Sequence, residues 1–105
     1  MGKFMFRASY TQQGLEGVIQ EGFAARQAAV TALIEGAGGS VEAFYFAYGD
    51  DDVVGVLDGS EQTAIALSLA VNRTGAVNLS TIPLLTAEQM DAARTKVPDY
   101  RAPGS

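Results

Sequence analysis

The chain reads strand, helix, strand, and then strand, helix, strand again. The first unit takes Lys3–Tyr10, Leu15–Glu35 and Ser40–Tyr48, and the second takes Asp52–Asp58, Glu61–Thr74 and Ala76–Pro83. This βαββαβ order leads to one layered α+β arrangement: a four-stranded antiparallel sheet with both helices on one face. The other face then needs a cover, and the thin segment after Pro83 is all that this sequence offers for it. The reading therefore expects a second copy of the chain over that face, with any ligand pocket between the two sheets.

The strands carry the clearest signal. Lys3–Tyr10 alternates, so that Phe4, Phe6, Ala8 and Tyr10 face the helices while Lys3, Met5, Arg7 and Ser9 face away. Thr11 is placed to cap the first helix. In that helix Leu15, Val18, Ile19, Gly22, Phe23, Ala29, Val30, Leu33 and Ile34 form one apolar stripe, and Gly36-Ala-Gly-Gly39 ends it. Ser40–Tyr48 is aromatic on both faces, which suits a strand covered on both sides. Gly49-Asp50-Asp51 makes a turn. Ser60 or Asp58 caps the second helix, whose stripe includes Ile65, Leu69 and Asn72, and Gly75 stops it. Thr86-Ala-Glu-Gln89 fits a capping box and predicts a short third helix over Thr86–Arg94. The boundaries that follow are a domain over residues 1–96 and an extended tail over 97–105.

Composition narrows the classes of function. With 105 residues, 48% hydrophobic and 18% charged, the chain is long enough for one globular domain. A net charge of −5, with seven scattered basic residues, argues against nucleic acid, because phosphate binding needs clustered Lys and Arg. No stretch approaches the ~18 apolar residues of a membrane span, and Met1-Gly2-Lys3 leads directly into a strand. No membrane and no nucleic-acid partner is expected, and the cytoplasm is the default compartment. Without a secretion signal, Asn72-Arg-Thr74 and Asn78-Leu-Ser80 are chance matches to the glycosylation pattern.

The chain has no histidine and no cysteine. Thiol chemistry, histidine-assisted nucleophiles and histidine-containing metal sites are therefore excluded. Asp50-Asp51-Asp52 lacks the spaced ligands of a calcium loop and reads as a solvated turn, so no metal is expected. Asp52, at the start of a strand, is its one candidate functional carboxylate. Gly36–Gly39 has the wrong polarity for a phosphate loop, since it leaves a helix and enters a strand. Arg26 lies about 20° from Leu15 on a continuous helix, inside the apolar stripe, where a guanidinium must snorkel, pair or meet an anion. On the sheet face turned from the helices, Arg7, Ser9, Tyr45, Asn78 and Ser80 are candidates, with Tyr48 at the strand end.

Several segments together resemble the GYD-domain family. They are Phe4–Thr11, the stretch around Ala25-Arg26-Gln27-Ala28, Gly38–Phe46, Gly49–Val54, the alanine-rich second helix, and Val77–Leu85 running into Thr86-Ala87-Glu88. The family is named for a glycine, tyrosine and aspartate around the turn between the second and third strands. Gly49 and Asp52 fit that pattern, and Asp51 stands where tyrosine is expected. The resemblance implies a ferredoxin-like fold related to dimeric α+β barrels, and it supplies no reaction.

The leading functional expectation is a small homo-oligomer that binds a small molecule between sheet faces. Arg7, Ser9, Arg26, Tyr45, Tyr48 and Asp52 are its ligand-binding candidates, and no cofactor is expected. One alternative is a cofactor-independent oxygenase or isomerase using Asp52 or Tyr48 for proton transfer. The other is a structural or regulatory assembly module without a ligand.

Overall fold

A computed structural model describes residues 2–105. Strand β1 (Gly2–Tyr10) is followed by helices α1 (Gln12–Glu21) and α2 (Phe23–Gly36), strands β2 (Ser40–Phe46) and β3 (Val53–Gly59), helix α3 (Glu61–Asn72), strand β4 (Val77–Leu84) and helix α4 (Ala87–Arg94). The four strands form one sheet in the order β2-β3-β1-β4, with every neighbouring pair antiparallel. This is the expected α+β, ferredoxin-like architecture.

The alternation read in β1 sets the two faces. Phe6 and Ala8 are buried on the helix side with Leu57 and Val53 of β3, and Ile34 and Leu67 pack onto them from α2 and α3. Phe44 and Phe46 extend this layer across β2. Phe44 meets Phe6 at 6.0 Å between ring centres, and Phe46 meets Phe23 edge-on at 5.0 Å. A bulge between Val41 and Ala43 resets the side-chain parity of β2, so that Val41, Phe44 and Phe46 all point to the core.

The single helix expected over Leu15–Glu35 is two helices. Gly22 has φ 94°, a left-handed backbone that glycine reaches without steric cost. Its N–H closes α1 onto the Val18 carbonyl at 2.8 Å, and its own carbonyl accepts the Arg26 N–H at 3.2 Å to open α2. The continuous stripe is broken accordingly: Val18 and Ile34 are buried, whereas Leu15, Ile19, Phe23 and Leu33 remain exposed.

The inward face of α3 also differs from expectation. Thr63, Ala64 and Leu67 are buried, while Ile65 and Leu69 are exposed. Thr63 and Ala64 let the first turns of the helix lie close to the sheet, Leu67 fills the core beside them, and Ile65 and Leu69 point outward. The caps follow the sequence reading more closely. The Thr11 and Ser60 hydroxyls accept from Gly14 and Thr63 main-chain N–H groups, and Thr86 with Gln89 completes the capping box of α4.

The chain from Leu85 onward leaves the body. Helix α4 buries no residue, and Leu85, Met90, Val97 and Tyr100 are exposed. The radius of gyration is 17.0 Å, against the ~13 Å of a compact chain this long, and the longest dimension reaches 56 Å. Among the described residues, no helix is long and apolar enough to cross a membrane.

Candidate functional site

The face of the sheet turned from the helices is open. Strand register places Lys3, Met5, Arg7 and Ser9 of β1 beside Leu84, Ile82, Ser80 and Asn78 of β4 on this face. On the other flank, Val54, Val56 and Asp58 of β3 oppose Arg7, Met5 and Lys3, and Tyr45 of β2 opposes Val54. The sequence candidates Arg7, Ser9, Tyr45, Asn78 and Ser80 therefore do share one surface. Met5, Val54, Val56 and Ile82 form an apolar centre that sequence reasoning left unnamed.

Ion pairs frame that centre at both ends. Lys3 Nζ lies 3.0 Å from Glu42 and 3.6 Å from Asp58. The hydrogen bond to Glu42 holds the Lys3 ammonium above its ordinary pKa. At the opposite end the Arg7 Nε donates to Asp51 at 2.8 Å. Asp51, which stands where the family pattern expects tyrosine, thus anchors the arginine of the open face. A shallow trough of about 410 Å³ opens at the Lys3 end, between Asp58, Leu84 and the start of α4 at Thr86 and Gln89.

The remaining candidates lie elsewhere. Asp52 is a joint in the sheet: its carboxylate accepts the Tyr10 N–H at 2.8 Å, its own N–H donates to the Ala8 carbonyl at 2.8 Å, and its carbonyl accepts the Ala47 N–H at 2.9 Å. Tyr48 is fully exposed beyond the end of β2, because that strand stops at Phe46 rather than continuing to Tyr48. Among the described residues, no three carboxylates gather in a way that could hold a metal ion.

Arg26 is on the helix side of the sheet, away from Arg7, Ser9 and Tyr45. It lies beside Tyr10 at the rim of a cavity between the sheet, α2 and α3, and its Nε is 3.4 Å from Glu21. The inward position follows from the phase of α2 itself, since Val30 and Leu33, four and seven residues on, line the same cavity. Burial pushes the Tyr10 hydroxyl above its usual pKa, and the charge of Arg26 offsets part of that rise. Tyr10 had been read only as a core-facing strand residue, and nothing in the sequence pattern marks it as part of a site.

No curated protein and no solved structure matches the chain. A family model, GYD domain, matches residues 4–93, which span β1 through most of α4. The match covers most of the chain, and the chain belongs to the GYD-domain family.

Proposed function

We propose that this GYD-domain chain works as a homo-oligomer in which a second copy covers the open sheet face and a small molecule is held between the two. The observation that carries the reading is the pairing of an uncovered apolar surface with a segment that leaves its own body. Met5, Val54, Val56 and Ile82 form an apolar centre, and charged pairs at either end suit a polar rim. The eight-residue α4 buries nothing in its own chain, and a helix of that length is marginal in water without packing. Leu85, Met90, Val97 and Tyr100 give the segment an apolar surface for a neighbour.

In this reading Tyr45 supplies a stacking surface, while Arg7, Ser9, Asn78 and Ser80 supply polar contacts to the ligand. Arg7 is balanced by Asp51 in the single chain, so an anionic ligand competes with that carboxylate.

Light scattering on the eluting full-length chain tests the assembly. A dimer or larger species is expected at micromolar concentration, and Val56→Asp, which places a charge in the apolar centre, is expected to yield a single copy. A wild-type chain that stays single-copy at high micromolar concentration would overturn the assembly reading. Thermal shift against a metabolite panel tests the ligand: stabilisation lost in Tyr45→Ala and Arg7→Ala is expected, and no stabilisation by any class would overturn it.

A further inference from the structure

On the other side of the sheet, α2 and α3 stand apart over a cavity of about 250 Å³. Its floor is Phe6, Ala8 and Leu79, and Ala29 and Ala70 line it from the two helices. Short side chains at these two positions leave space that leucines would fill, and the walls are apolar. A pocket with such walls favours an apolar guest. One end is different. Arg26 and Tyr10 stand where the chamber meets an outer cleft lined by Gly14, Gly17 and Glu21.

The Arg26 Nε is buried and has no hydrogen-bond partner among the described residues. Glu21 approaches it to 3.4 Å without forming a hydrogen bond, so charge is balanced while the donor is left unused. An unsatisfied buried N–H is costly, and the planar guanidinium fork matches a carboxylate in two-point contact. Nearby, Asp52 already accepts the Tyr10 N–H, and it is the Glu21 side chain, half exposed, that is free to swing away.

We propose that this cavity binds a compact organic monocarboxylate, its hydrocarbon chain or ring in the chamber and its carboxylate on Arg26 in place of Glu21. The volume is below the ~300–1,000 Å³ of drug-sized sites, which fits a benzoate or a short fatty acid rather than a cofactor. Tyr10, a neutral phenol that lines both the chamber and the outer cleft, is a second donor at the rim. The site is separated from the open face by the thickness of the sheet and does not depend on self-association.

Calorimetric titration of the full-length chain with octanoate and benzoate, using octanol and benzyl alcohol as uncharged controls, tests this. Wild type is expected to bind one carboxylate per chain, and more tightly than the matching alcohol. Arg26→Gln should weaken carboxylate binding by about ten- to a hundredfold, the loss of a charge-assisted hydrogen bond, and leave octanol unchanged. Glu21→Gln should tighten it by removing the competitor. Ala70→Leu, with Ala29→Leu as a second filling variant, should abolish binding while the melting temperature holds or rises.

No saturable carboxylate binding to wild type overturns the proposal, as does octanol binding as tightly as octanoate. Unchanged octanoate affinity in Arg26→Gln, or in both filling variants, overturns it equally. Val56→Asp distinguishes this site from the open face: octanoate affinity should survive in the single-copy variant, and its loss from a folded single copy places the guest at the assembly interface instead.

Discussion

Asn72, the last residue of α3, holds Leu79 of β4 as a neighbouring strand would. Its Nδ2 donates to the Leu79 carbonyl at 3.0 Å, and its Oδ1 accepts the Leu79 N–H at 2.7 Å. Strand β4 lies at the sheet edge, where unpaired main-chain groups invite other strands. The main chain of Thr81 and Pro83, two and four residues further, points the same way, and Pro83 has no N–H to offer. Asn72→Ala should lower stability by about 1 kcal/mol, because both bonds are exposed and water replaces them. It should also raise light scattering on prolonged incubation, as the edge opens. An unchanged urea midpoint with unchanged scattering would contradict this role.

Asp52 connects three strands, and its side chain contributes one charge-assisted bond to Tyr10. Asp52→Ala should cost about 1.5–3 kcal/mol, and Asp52→Asn less, since the amide oxygen still accepts the Tyr10 N–H. Urea unfolding of both variants checks the order. Equal losses would mean that the carboxylate acts through charge rather than through this bond.

Gly55 lies directly under Phe6. A Cβ built there comes 2.2 Å from the Phe6 ring and 2.6 Å from the Ala43 carbonyl oxygen. Neither the ring nor the strand can yield without disturbing the core. Gly55→Ala should therefore destabilise by about 3 kcal/mol, at the upper end of ordinary overpacking. Phe6→Leu in the same chain should recover part of the loss, measured by thermal melting.

Alkaline pH weakens the fold through Tyr10. Burial raises its folded-state pKa above 10.0, so the unfolded chain releases the phenolic proton first as pH rises. The unfolded state then holds fewer protons than the native state, and stability falls with pH from that point until the folded group also ionises. Lys3, raised above 10.5 chiefly by its Glu42 hydrogen bond, acts in the same direction. Urea unfolding in steps from about pH 9 to 11 should show a shallower decline for Tyr10→Phe than for wild type. Parallel curves would remove Tyr10 from the account.

The faces of β1 were legible because strict alternation leaves no other assignment, and register then carries that orientation to β3 and β4. In β2 both faces are aromatic and a bulge shifts the parity, so pattern alone could not orient it. The placement of Tyr45 came out on the open side nonetheless. The face of α3 was misread because Ile65, Leu67 and Leu69 are all strongly apolar, and it is the docking of the helix that turns Ala64 and Leu67 inward and leaves Ile65 and Leu69 exposed. The break at Gly22 was hidden because glycine is tolerated within an apolar stripe. Arg26 was assigned inward on the geometry of one long helix; it is inward, by the phase of the second of two. The cavity beside it depends on how far apart two helices stand, which no local pattern encodes.

On an uninterrupted helix, residues 21 and 26 project about 140° apart and cannot touch. The break at Gly22 closes that arc, and a glutamate five positions ahead of an arginine becomes its ionic neighbour. A single residue lacking a Cβ therefore decides which charge guards the guanidinium, and straightening the rod would part the two.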